Sequence, residues 1–117
     1  MTADRPAPNL MRKVLTIAAI ISIAAMVTQP ISAEGRTHRI EMKGVAFAPA
    51  QITVRVGDTL EWSNGDIAAH TATSKEGGFD VNVPPGRKGS SVVQRPGRFG
   101  YLCRYHPNMT GEIVVEP

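Results

Sequence analysis

The chain has 117 residues, 42% of them hydrophobic and 20% charged, with a formal net charge of +3. That length fits one domain, and the composition excludes a disordered, collagen-like or disulfide-scaffold protein. No basic stripe with interleaved aromatics is present, so the positive balance does not argue for nucleic-acid binding.

The N-terminus reads as a targeting segment. Arg12 and Lys13 precede a 14-residue uncharged run, Val14 to Val27, and Ile31-Ser32-Ala33 follows with a small residue at a cleavage position. This is the pattern of a secretory signal peptide. The run is short for a membrane span, which needs about 20 residues. An uncleaved anchor is the rival reading, and Met1 and Met11 are both candidate starts. The expected organisation is therefore a leader and signal peptide over 1–33 and one domain over 34–117, with no membrane span after cleavage. The mature chain holds 84 residues with a net charge of +1, because the leader carries Arg5, Arg12 and Lys13 against Asp4. A chain of that size buries about 60–65% of its unfolded surface, so its core is marginal.

Strand signals fill the mature part. Ile40 and Met42 suggest a first strand. Ile52, Val54 and Val56 alternate with polar residues, Gly57-Asp58 turns, and Leu60 and Trp62 alternate again. This period-two pattern predicts a hairpin with one buried face. Asn64-Gly65-Asp66 is a turn before a short segment ending at His70. Residues 74–89 read as a long connection, with one short strand around Phe79 to Val83. Ser91 to Gln94 reads as a strand and Arg95-Pro96-Gly97 as a turn. Phe99, Tyr101 and Cys103 share one parity, hence one face. Residues 111–116 form a closing strand. No segment shows sustained helical periodicity. The fold class is all-β, a small sandwich. Its expected core is Ile52, Val54, Val56, Leu60, Trp62, Val92, Phe99, Tyr101, Ile113 and Val115. His38 reads as a surface residue.

The chemistry concentrates in "CRYHPNM", which holds the chain's one cysteine. An odd cysteine in an exported chain calls for a reason. Cys103, His106 and Met109 recur every three residues, but Pro107 excludes a helical stripe. His70 lies 33 residues upstream at a strand edge. Taken singly, each of these residues is more ordinarily a packing residue, a loop histidine or an inert buried thiol. Jointly, two imidazoles, a thiolate and a thioether make a blue-copper donor set. A Cys–His nucleophile would need an oxyanion hole and a substrate cleft, for which 84 residues leave little room. Structural zinc sites do not use thioether, and haem attachment would need Cys-x-x-Cys-His.

These residues resemble the cupredoxins, the small blue copper proteins. "CRYHPNM" is similar to the short ligand loop of amicyanin-type members, whereas plastocyanin and pseudoazurin types have a longer gap between His and Met. The resemblance continues through "VAFAPAQITVRVGDTLEWSNGDIAAHTATS" and "RPGRFGYLCRYHPNMTGEIVV", covering about residues 38–117. It implies a Greek-key sandwich with one copper ion, Cu(I)/Cu(II), at one pole. His70, Cys103 and His106 would be equatorial ligands and Met109 axial. It also implies a monomeric periplasmic electron carrier, not an enzyme, serving redox proteins; the analogy suggests an amine dehydrogenase and a c-type cytochrome. His106 would reach the surface through an apolar patch of Pro107, Ala68 and Pro84 or Pro85. Alternative functions are copper trafficking or storage, or an anchored subunit of a larger redox complex. Two positions depart from the pattern. Thr71 stands where plastocyanin-like members often have Asn; its N–H is expected to reach the thiolate and its hydroxyl to tie the ligand loops together. Tyr105 stands where amicyanin-type loops have Pro, and its N–H is expected to give the Cys103 sulfur a second hydrogen bond.

Overall fold

The computed structural model describes residues 35–117, and five isolated positions (19, 22 and 24–26) before them. The signal-peptide reading, with its 14–27 run and the cut after Ala33, otherwise lies outside the described residues. Among the described residues no helix is long and apolar enough to cross a membrane.

Nine strands and no helix form the described domain: β1 (Thr37–Met42), β2 (Phe47–Ala48), β3 (Gln51–Arg55), β4 (Thr59–Asn64), β5 (His70–Ser74), β6 (Asp80–Val83), β7 (Lys88–Val92), β8 (Gly97–Leu102) and β9 (Thr110–Glu116). One sheet runs β2-β1-β4-β7 and the other β3-β9-β8-β5-β6. The all-β sandwich expected from the alternating patterns is thus present. Ile40, Met42, Phe47, Val54, Leu60, Trp62, Tyr101, Ile113 and Val115 fill the space between the sheets. Tyr101 centres this core. Its ring lies 4.5 Å from that of Phe47 and 5.8 Å from that of Trp62, whose Nε1–H donates to the Tyr101 hydroxyl at 3.4 Å. Gly111 is required opposite it, since a Cβ there would fall 2.5 Å from the Tyr101 ring.

The predicted hairpin over 52–62 is corrected. β3 pairs in parallel with β9, while β4 pairs with β1 and β7, so the Gly57-Asp58 turn carries the chain from one sheet to the other. Period-two alternation is the same for a hairpin and for such an arch, so the pattern alone does not separate them. The backbone of the turn is committed to both sides: Val56 N–H donates to Glu116 O and Gly57 N–H to Val93 O. Val56, at the arch, is consequently exposed, and so is Val92. Val93 packs on the core instead, just past the end of β7. Within the connection 74–89, β6 is the short strand expected around Phe79 to Val83, and the connection is shorter than predicted only because β7 already begins at Lys88.

His38 is not a free surface residue. It is half-buried, and its Nε2 lies 2.8 Å from Asp58 Oδ2. Asp58 accepts two further bonds, from Arg36 N–H (2.9 Å) and Arg55 N–H (2.9 Å). One buried carboxylate thus fastens the arch to the start of β1.

A candidate metal centre

β5 starts at His70, and β8 ends at Leu102, one residue before Cys103. The two strands pair antiparallel at Thr73–Leu102 and Ser74–Tyr101, which brings the start of one beside the end of the other at a single pole of the sandwich. His70 therefore opens its strand, where the sequence reading put it at the end of a segment. The loop after Cys103 is closed by its own backbone: Cys103 N–H donates to Met109 O at 3.0 Å and Met109 N–H to His106 O at 2.8 Å.

Three of the four expected donors converge. Cys103 Sγ lies 3.8 Å from His70 Nδ1 and 3.8 Å from His106 Nδ1, and the three donor atoms all lie within 4.8 Å of one another. The imidazole rings stand edge to face with centroids 5.0 Å apart. His70 and Cys103 are fully buried; His106 is half-buried. Met109 ends the same loop, and its side chain is buried in the core cluster.

Both features expected of Thr71 are present. Its N–H donates to Cys103 Sγ at 3.3 Å, and its hydroxyl accepts from Arg104 N–H at 2.9 Å. The tie extends outward, from Thr71 to the Thr73 hydroxyl (2.9 Å) and on to Asp80 Oδ1 (2.8 Å), which Arg104 Nε also reaches. Burial pushes the Cys103 thiol up, but the Thr71 N–H, His106, the Tyr105 N–H and His70 outweigh it and bring it down to about 6. A cysteine so placed is a thiolate near neutral pH, the form that binds metal.

Asp66 was not foreseen as part of this site. Its Oδ2 lies 2.8 Å from His70 Nε2, so the ring donates there and Nδ1 is left as the free donor facing the sulfur. Burial pushes His70 down, yet Asp66 and Cys103 win and its pKa is raised. The N–H of Val45, the His70 ring and the N–H of Gly44 hold Asp66 at about 2. The i, i+4 spacing of Asp66 and His70 was the available clue, but in a loop that spacing carries no rule.

The donor chemistry fits a soft, redox-active ion: a readily ionised thiolate, two imidazoles presenting Nδ1, and a buried thioether on the same loop. The family model of the cupredoxin-like domain matches residues 16–115. The chain belongs to the cupredoxin-like family. It is 23% identical to amicyanin from Paracoccus versutus over 83 residues, which is 66% of this chain and 63% of that protein, so it spans just under two thirds of that relative. The solved structure of an oxidized amicyanin mutant superposes with a TM-score of 0.61 at 23% identity, covering 67% of this chain and 80% of that one. A Cu-containing nitrite reductase from Thermus scotoductus gives 0.61 at 26% identity, over 71% of this chain but 22% of the reductase. The cofactor of this family is one copper ion, and His70, Cys103 and His106 are arranged as a ligand site for it.

Proposed function

We propose that His70, Cys103, His106 and Met109 hold one copper ion, and that the protein is an exported, periplasmic carrier of single electrons rather than an enzyme. The observation that carries this reading is the Cys103 sulfur, 3.8 Å from two imidazole Nδ1 atoms and capped by the Thr71 N–H. Bound there, copper supplies a one-electron Cu(I)/Cu(II) couple. The residues contribute a donor set that suits both oxidation states and a shell tied down by hydrogen bonds, which limits rearrangement between them. The half-buried His106 gives the site a route to the surface. Around this pole Ile67 is fully exposed, and Ala68, Pro84, Pro85 and Pro107 are also exposed. Such an apolar face suits brief docking of redox proteins, with an amine dehydrogenase and a c-type cytochrome as candidates by analogy. The charged n-region and the 14–27 run support export.

The test is titration of the purified protein with Cu(II) while recording the visible spectrum. An intense thiolate-to-copper band at one equivalent is the expected result. A colourless or pale complex would instead indicate trafficking or storage.

Tyr105 offers a second check. Its N–H adds to the groups that lower the Cys103 thiol, while the backbone N–H within hydrogen-bond geometry of Sγ is that of Thr71. A hydrogen bond to that sulfur favours the reduced state, so Tyr105→Pro, which deletes the N–H, should lower the reduction potential. About 60 mV is expected, the one-electron equivalent of a tenfold change in equilibrium. An unchanged or higher potential in cyclic voltammetry would remove Tyr105 from this role.

A further inference from the structure

Among the described residues, Val45 is the one non-glycine residue with a left-handed backbone, at φ 56°, next to Gly44 at 61°. A β-branched side chain is poorly tolerated there. The four-residue link from β1 to β2 is closed by Lys43 N–H donating to Ala46 O at 3.1 Å, and an Asn-Gly pair would make such a turn without strain. Burial does not repay the strain either, since Val45 is 45% exposed. The return is in the backbone. Two successive left-handed residues point their N–H groups to one side, a concavity suited to an anion. Gly44 N–H donates to Asp66 Oδ1 at 2.8 Å and Val45 N–H to Asp66 Oδ2 at 3.0 Å. Oδ2 also accepts the His70 Nε2–H.

We propose that the Gly44–Val45 turn is a positioning element for His70, gripping Asp66 so that its carboxylate fixes the His70 ring with Nε2 protonated and Nδ1 aimed at Cys103. The inference rests on the reading above, in which Nδ1 of His70 is a ligand atom. Asp66 needs an outside grip because it stands in the loop 65–69, where its own N–H bonds Asn64 Oδ1 and, among the described residues, its carboxylate is bonded only by the His70 ring it orients and by the two turn N–H groups. The turn belongs to the opposite sheet from His70, so the grip also joins the two sheets at the metal pole.

Two measurements test this. In the metal-free protein, Val45→Asn tolerates the left-handed conformation and keeps both N–H groups, so it should raise Tm by a few degrees. In an Asp66→Ala background the released turn relaxes by itself, and the same substitution should gain less than half as much. Equal gains in both backgrounds, or no gain in either, would overturn the grip. In the copper-loaded protein, Val45→Pro and Asp66→Ala should each speed copper release to a chelator about tenfold, and the double variant should be no faster than Asp66→Ala alone. Unchanged release from a folded Val45→Pro variant, or additive effects, would also overturn it. If Val45→Pro does not fold, the Val45→Asn cycle decides. A wild-type protein with no thiolate-to-copper band would instead defeat the copper reading, while the metal-free cycle would still report on the turn.

Discussion

Asp58→Ala is expected to cost the folded domain on the order of 3 kcal/mol, although the residue makes no bond to any metal-site residue. The residue is 6% exposed, and its carboxylate accepts from Arg36 N–H, Arg55 N–H and His38 Nε2. Bonds to a charged acceptor contribute about 1.5–3 kcal/mol each, with incomplete additivity, and truncation leaves two backbone donors without that partner. Small domains hold only about 5–15 kcal/mol in total, so the loss should be large in urea melts. The pH dependence has a definite sign. The Arg55 and Arg36 N–H groups and His38 hold Asp58 at about 2, below its ordinary 3.8. Ionised Asp58 therefore stabilises the fold fully above about pH 4, and that contribution, about 2 kcal/mol, is lost as the pH falls through 2. The gap between wild type and Asp58→Ala should be constant from pH 7 to 4.5 and shrink towards pH 2. A constant gap over the whole range would show that the carboxylate's charge is not what holds the arch.

How legible these features are depends on the range of the interaction behind them. Strand identity was readable because alternation is local: Leu60 and Trp62, or Phe99 and Tyr101, declare their face within a few residues. Strand partnership was not. The run from Ile52 to Trp62 looks like a hairpin, and only the pairing of β3 with β9 and of β4 with β1 makes it an arch. The same limit applies at the metal pole. Cys103, His106 and Met109 lie on one short loop, so spacing and chemistry could propose them together with His70, while Thr71 was pointed to only by the resemblance. The turn at Gly44–Val45 reaches Asp66 through backbone N–H groups, which no side-chain pattern encodes. His38 was misplaced for a related reason: its partner, Asp58, is 20 residues away and presents itself as an ordinary turn residue.

Cys103→Ala should abolish both the visible band and the stabilisation that copper gives. An ion that binds only the folded site stabilises by RT ln(1 + [L]/Kd), about 4 kcal/mol at a thousandfold excess over Kd. For a domain of this size that corresponds to a Tm rise on the order of 20 °C. The sulfur is the donor on which the others depend. Both imidazole Nδ1 atoms face it at 3.8 Å, and the Thr71 N–H is committed to it. Alanine leaves two imidazoles, an uncompensated Thr71 N–H and no anionic donor among the three clustered residues. The metal-free variant should still fold, because Cys103 is a small side chain and its loss removes one buried sulfur. Comparing melts with and without Cu(II) separates the two effects: wild type should show the large shift and Cys103→Ala little or none. Met109→Leu provides the contrast, since it removes only the weak thioether and keeps the apolar volume; most of the shift and the band should survive. A copper-dependent shift of wild-type size in Cys103→Ala would place the ion elsewhere and remove the thiolate from the proposed site.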